Sequence, residues 1–130
     1  MRAYLGIKYY SDNRNQAVIE AISDVLAGCG MTTYCVARDL EKWGEVQLEV
    51  GELMHRTFAV VERCDLVVIE LSEKGVGLGI EAGYAYAKGI PVMTVARRGS
   101  DVSETLRGVS SDVIFYDNPS DLTPFFAGLS

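Results

Sequence analysis

At 130 residues with 48% hydrophobic content, the chain has material for one core, and a single domain spanning residues 1–130 is expected. A formal net charge of -6 leaves no basic stripe to neutralise phosphates, which excludes a nucleic-acid polymer or an anionic membrane surface as partner but leaves a small anion admissible. The three cysteines, Cys29, Cys35 and Cys64, form no CxxC pair and, with one histidine, offer no zinc spacing, so no metal is expected. Their odd number, without a signal peptide, fits a reducing cytoplasm, and no apolar run approaches the length of a membrane span.

In chain order, Ala3 to Ile7 reads as a short apolar strand, followed by the polar and aromatic segment Lys8 to Asn15. Gln16 to Ala27 carries apolar residues at helical spacing and stops at Gly28 and Gly30. Met31 to Val36 predicts a second strand, and Ala37 to Gly44 a charged connecting loop around Trp43. Glu45 to Arg63 predicts a longer helix. Its stripe of Val46, Val50, Leu53, Met54, Thr57, Val60 and Val61 turns Thr57 toward the core or a site, and His55 and Glu52 away from it. Asp65 to Leu71 reads as a strand buried on both faces. Ser72 to Leu78 is the loop after it, Gly79 to Lys88 a helix closed by Gly89, and Pro91 to Ala96 a fourth strand. Ser100 to Arg107 predicts a short helix, Asp112 to Tyr116 a fifth strand, and Asp121 to Gly128 a terminal helix begun by a capping residue. Strands alternating with helices imply an α/β fold: a single-domain, Rossmann-like (flavodoxin-like), five-stranded parallel sheet with helices on both faces.

Chemistry concentrates after the third strand. The run from Gly75 to Glu81 places a carboxylate just inside a helix, behind a glycine-rich loop at the carboxyl end of a strand, where open α/β sheets bind ligands. Glycines let backbone and ligand approach closely, and a helix N-terminus favours the ionised carboxylate. Gly77 to Ala82 also satisfies the loose dinucleotide pattern GxGxxA, with Arg97 and Arg98 as partners for a 2′-phosphate. That reading is set aside, because the run follows the third strand rather than the first and Glu81 would repel a pyrophosphate. On the residues alone Glu81 is open to two readings: a first-turn acid that complements the helix dipole, or a reacting group in a ligand site. Glycines at 75, 77 and 79 exceed the needs of a plain turn, and Gly83, Ala85 and Ala87 let the helix pack closely on the sheet.

The segments Asp65-Leu66-Val67-Val68, Gly77-Leu78-Gly79-Ile80-Glu81-Ala82-Gly83-Tyr84-Ala85 and Lys88-Gly89-Ile90-Pro91-Val92 together resemble the nucleoside 2-deoxyribosyltransferase superfamily. More closely, they are similar to its 2′-deoxynucleoside 5′-phosphate N-hydrolases. The likeness extends to the strand containing Tyr4, the long helix before Asp65, and Ser103 to Gly108; it is weak over Lys8 to Asn15. It implies an enzyme that cleaves the N-glycosidic bond of a nucleoside or nucleotide, by hydrolysis or by transfer to a second base, without a cofactor. Glu81 would be the nucleophile at the anomeric carbon, forming a covalent glycosyl intermediate through an oxocarbenium-like transition state. Tyr4 matches a tyrosine of the family's site, and Gly75, Gly77 and Gly79 join it as substrate-binding candidates. Ser103 matches a serine that reaches the 5′-phosphate of a neighbouring subunit's substrate, which implies a homodimer or higher homo-oligomer. Without the likeness, Tyr4 reads equally as a strand aromatic and Ser103 as a helix N-cap.

Two positions depart from the family pattern. An acidic residue usual eight positions before Asp65 is Thr57 here, and a serine or aspartate common six before the nucleophile is Gly75. Thr57 cannot serve as a general acid near neutral pH, so it stays a substrate-binding candidate. Glu49, Glu52 and His55 on the same helix are the nearest substitutes by sequence; Asp39 and Glu41 beside Trp43 could instead close over the site from the loop after the second strand, but simple solvation is the preferred reading of that loop. Lys8, Tyr9, Tyr10, Asn13 and Arg14 could stack on a base and hold a phosphate, or form an ordinary polar loop. These departures keep a second reading open, a module that binds or senses a nucleotide derivative without turnover.

Overall fold

The computed structural model describes residues 1–129; Ser130, the last residue of the expected 1–130 domain, lies outside the described residues. Five parallel strands, β1 (Arg2–Ile7), β2 (Thr32–Tyr34), β3 (Leu66–Glu70), β4 (Val92–Arg97) and β5 (Asp112–Tyr116), form one sheet in the order β2-β1-β3-β4-β5. The helices are α1 (Gln16–Gly28), α2 (Val50–Glu62), α3 (Val76–Ala87), α4 (Glu104–Val109) and α5 (Thr123–Ala127). This is the Rossmann-like arrangement expected from alternating strands and helices, and no helix of the described residues is long and apolar enough to cross a membrane.

Strand periodicity assigns the faces. Ala3 and Leu5 of β1, with Leu66 and Val68 of β3, pack against Ile19, Ile22 and Leu26 of α1 and Phe126 of α5. Tyr4, Val67 and Ile69 point the other way, against Val61 of α2, Ala82 and Ala85 of α3 and Leu106 of α4. Every residue of β3 is therefore buried, which is why its sequence is apolar without alternation. The strand order reverses between β1 and β3, so the loops leaving their carboxyl ends part to opposite faces and open a crevice there.

Several boundaries differ from expectation. The second strand stops at Tyr34: Cys35 is extended, Val36–Leu40 winds into a π-helical turn, and Lys42–Gly44 into a 3-10 turn. The long helix begins at Val50, not Glu45, because the Glu49 carboxylate accepts the Glu52 N–H and caps the end there; Val46 and Val50, read as part of the buried stripe, are exposed. Thr57 is buried at 2% exposure and His55 is exposed, as the stripe requires. The third helix starts at Val76 rather than Gly79, with Gly75 as its N-cap, so Gly77 and Gly79 lie within the helix and not in a loop before it. The next helix covers Glu104–Val109, capped by Ser103, and the C-terminal one is a 3-10 turn, Pro119–Leu122, running into α5.

Candidate active site

Because α3 starts three residues early, Glu81 falls in its second turn and not at the helix terminus. The side chain reaches back to β1. Tyr4 donates its hydroxyl to Glu81 Oε1 at 2.9 Å, while Oε2 is fully enclosed with no hydrogen-bond partner among the described residues. Gly6 makes this possible: a Cβ there would stand 2.7 Å from Oε2 and 3.0 Å from Ile69 Cδ1. A glycine inside an otherwise apolar strand signals such close approach, and this is the site residue that the sequence reading passes over.

The electrostatics invert the expectation from the helix dipole. Burial raises the Glu81 carboxyl from its ordinary value to about 7, and the Tyr4 hydrogen bond, which pulls the other way, does not offset it. Burial and then the Glu81 charge hold the Tyr4 hydroxyl well above the usual tyrosine value, so Tyr4 stays a donor. Glu81 is thus half ionised near neutrality and poorly solvated in its charged form, the condition under which a carboxylate seeks a positive centre.

A cavity of about 200 Å³ opens beside this pair, walled by Tyr4, Gly6, Tyr9, Cys35, Glu41, Thr57, Gly77 and Glu81. It is smaller than the roughly 300–1,000 Å³ of common ligand pockets, so a ligand of nucleoside size would extend from it toward solvent. Thr57 shares the cavity, but its hydroxyl donates to the Leu53 carbonyl at 2.8 Å and is committed to its own helix. The substitutes on that helix do not reach the site: Glu49 caps it, Glu52 pairs with Arg56 at 2.8 Å, and His55 faces outward. Asp39 accepts the Cys35 N–H at 2.9 Å and pairs with Arg38 at 2.7 Å. Glu41, expected in a solvated loop, instead lines the cavity and is partly buried.

The remaining candidates separate from Glu81. Gly75, Gly79 and Ser103 line a larger, mostly apolar groove of about 500 Å³ between α3 and α4, which Gly83 and Leu106 complete. There the Ser103 hydroxyl accepts the Leu106 N–H at 3.5 Å, the N-cap role. A third, polar pocket of about 340 Å³ lies at the carboxyl ends of the strands on the α1 side, bordered by Lys8, Arg14, Glu70 and Arg97. In the loop after β1 Arg14 stacks 4.2 Å from the Tyr10 ring centre, and Arg98, just after β4, pairs with Asp117, just after β5, at 3.2 Å.

The family model for nucleoside 2-deoxyribosyltransferases matches residues 3–114. The chain belongs to that family. Among solved structures, it is similar to a 2-deoxyribosyltransferase of Bacillus psychrosaccharolyticus, with 17% identity, TM-score 0.74, and 95% of this chain and 90% of the other covered. A conserved protein of Enterococcus faecalis V583 shares 16% identity with TM-score 0.76 over 98% of each chain. A CMP N-glycosidase of Clostridium botulinum shares 16% identity with TM-score 0.68, covering 96% of this chain and 97% of the other. At these identities the structural likeness speaks for the fold, and the family model for membership. No protein of curated function matches the sequence.

Proposed function

We propose that this family member cleaves the N-glycosidic bond of a nucleoside or nucleotide, with Glu81 as the nucleophile at the anomeric carbon. One observation carries the reading: a buried carboxylate with one oxygen held by Tyr4 and the other unpaired, at the wall of a cavity. As the bond to the base stretches, positive charge develops on the sugar carbon, and an anion already stripped of solvent gains more from that charge than a hydrated one. Only the Tyr4 hydrogen bond restrains the carboxylate as one of its oxygens bonds to carbon. Tyr4 fixes the carboxylate plane and takes up the charge on Oε1 when the glycosyl ester later breaks.

The names of the structural neighbours, a 2-deoxyribosyltransferase and a CMP N-glycosidase, support chemistry at a base–sugar bond. Water as the acceptor gives a 2′-deoxynucleoside 5′-monophosphate N-hydrolase; a second base gives a transferase. The reading extends to a cytoplasmic homodimer or higher homo-oligomer, in which Ser103 would meet the phosphate of a neighbour's substrate. Base released from a panel of nucleosides and 5′-monophosphates, by wild type and by Glu81→Ala, tests it. Release that the substitution abolishes is expected. No release from any substrate, with ligand-dependent thermal stabilisation, would instead establish the binding or sensing module, a reading that the committed Thr57 hydroxyl favours.

A further inference from the structure

The cavity beside Glu81 receives a second carboxylic acid from a different part of the fold. Glu81 enters it from α3, and Glu41 from the turn that follows β2. That turn is built around Glu41. Its N–H donates to the Val36 carbonyl at 2.9 Å, and its own carbonyl accepts the N–H groups of Gly44 and Val46, both at 3.0 Å. The next two residues, Lys42 and Trp43, both hold left-handed backbone, with φ of 51° and 58°, a conformation costing about 1 kcal/mol or more for a residue with a side chain. Packing of Trp43 against the α1-side core and the Asn13 amide on its carbonyl at 3.3 Å hold the turn in place.

Departure of a base as an anion is slow, so N-glycosidic cleavage needs a proton donor as well as a nucleophile. The titratable side chains around the cavity are Tyr4, Tyr9, Cys35, Glu41 and Glu81. Four of these are committed or unsuited. Tyr4 donates to Glu81, Tyr9 donates to Asn13 Oδ1 at 2.9 Å, the Cys35 thiol is pushed up to about 11 by burial, and Glu81 is the nucleophile. The Glu41 carboxyl has no hydrogen bond or ion pair among the described residues, and its partial burial raises its pKa above the ordinary glutamate value, which favours the protonated form. We infer that Glu41 is the general acid and base of the reaction, supplying the proton that Thr57 cannot. The assignment rests on the N-glycosidase reading of Glu81.

The cycle balances with these two groups. One carboxylate oxygen of Glu81 bonds to the anomeric carbon as the bond from that carbon to the base nitrogen breaks, and the electron pair leaving with the base takes the proton of Glu41. Glu41, now a carboxylate, removes a proton from the incoming water, or from the N–H of a second base. The acceptor atom bonds to the anomeric carbon, the ester to Glu81 breaks, and both carboxyls return to their starting states. The competent form carries its charge on Glu81 and its proton on Glu41. A base seated over Glu41 displaces its water and favours the proton, while the developing sugar cation favours the charge on Glu81.

Steady-state release of base by wild type, Glu41→Gln, Glu41→Asp and Glu81→Ala, measured against pH, tests the assignment. Glu41→Gln is expected to lower kcat by about 10²–10⁴-fold on a natural base and to remove the alkaline limb of the pH profile, leaving a rate that rises with ionisation of Glu81 and then stays level. A substrate whose leaving group is a p-nitrophenolate, which departs unprotonated, should lose less than about tenfold. Glu41→Asp should recover part of the rate and the alkaline limb. Should wild type release base while Glu41→Gln keeps its rate and its alkaline limb, or lose both leaving groups equally, Glu41 is not the acid and Glu81 alone keeps its role. No base released by wild type from any substrate overturns both assignments together.

Discussion

The sheet carries a glutamate–tyrosine pair on each face, buried around Glu70 and partly buried around Glu81, and the two pairs are treated oppositely. On the α1 side Glu70, 2% exposed, accepts the Tyr116 hydroxyl at 2.5 Å, the Ser72 hydroxyl at 2.8 Å and the Ser72 N–H at 2.6 Å. On the α3 side Glu81 accepts only the Tyr4 hydroxyl, and its second oxygen is enclosed without a donor. Both sit near the carboxyl ends of β1 and β3, so position in the fold does not separate them. The supply of donors does. Three donors fix a carboxylate as part of the framework, tying the loop after β3 to β5; one donor leaves a carboxylate with half of its hydrogen-bonding capacity unmet.

The strongest way to break this contrast is to exchange the roles by mutation. Glu81→Ala is expected to lower base release by about 10³-fold or more with little loss of stability, whereas Glu70→Ala strands the Tyr116 and Ser72 donors, costs about 2–4 kcal/mol in urea unfolding and leaves kcat within a few fold. A Glu70 variant that folds normally and loses turnover would show that both carboxylates serve the chemistry. Next in size is Gly6→Ala. Its methyl group would force Oε2 aside by its 2.7 Å approach, and a drop in kcat/KM of about 10²-fold is expected, since a displaced nucleophile loses its alignment.

How far these features were legible from sequence differs by kind. The apolar runs of β1 and β3 to β5 and the spacing of α1 identify the architecture, because burial on one or two faces writes directly into residue order. The edge of β2 did not read correctly, since Val36 is as apolar as a strand residue but is turned by the π-helical segment that places Glu41. Val46 extended the helical stripe past the point where Glu49 caps it. Gly77 and Gly79 suggested a loop because glycine is a poor helix former, yet the packing of Leu78, Ala82 and Ala85 carries the helix through them. For the site, Glu81 is a candidate from its place behind the glycine run and Tyr4 from likeness to a family, but their hydrogen bond, the raised pKa and the entry of Glu41 depend on which side chains the crevice encloses. No spacing in the sequence encodes that.

The burial of Glu81 also has a thermodynamic signature. Unfolded, the Glu81 carboxyl titrates at its ordinary 4.5; folded, at about 7. Between these values the unfolded chain has released a proton that the folded protein keeps, so this group's contribution to stability is full below about 4.5, falls as pH rises through the interval, and is gone above about 7. Glu81→Gln should abolish that slope and, at pH 8, be more stable than wild type by about 1–3 kcal/mol in urea unfolding; an unchanged slope would assign it to another group. Tyr4→Phe is the mildest test. It removes the one interaction favouring the anion, so the Glu81 carboxyl, followed by carbon-detected NMR, should titrate above its wild-type value, with kcat about tenfold lower.

A carboxyl poised at neutrality is also a detector. Any cationic ring seated beside it, such as an amine or amidine mimic of the sugar, would favour the anion and expel roughly half a proton per site at pH 7. Weakly buffered solution with an indicator dye would register that acid as binding occurs, before any bond is made or broken. Whatever ligand this cavity takes can therefore be sought by titration, compound by compound, without knowing in advance which reaction to assay.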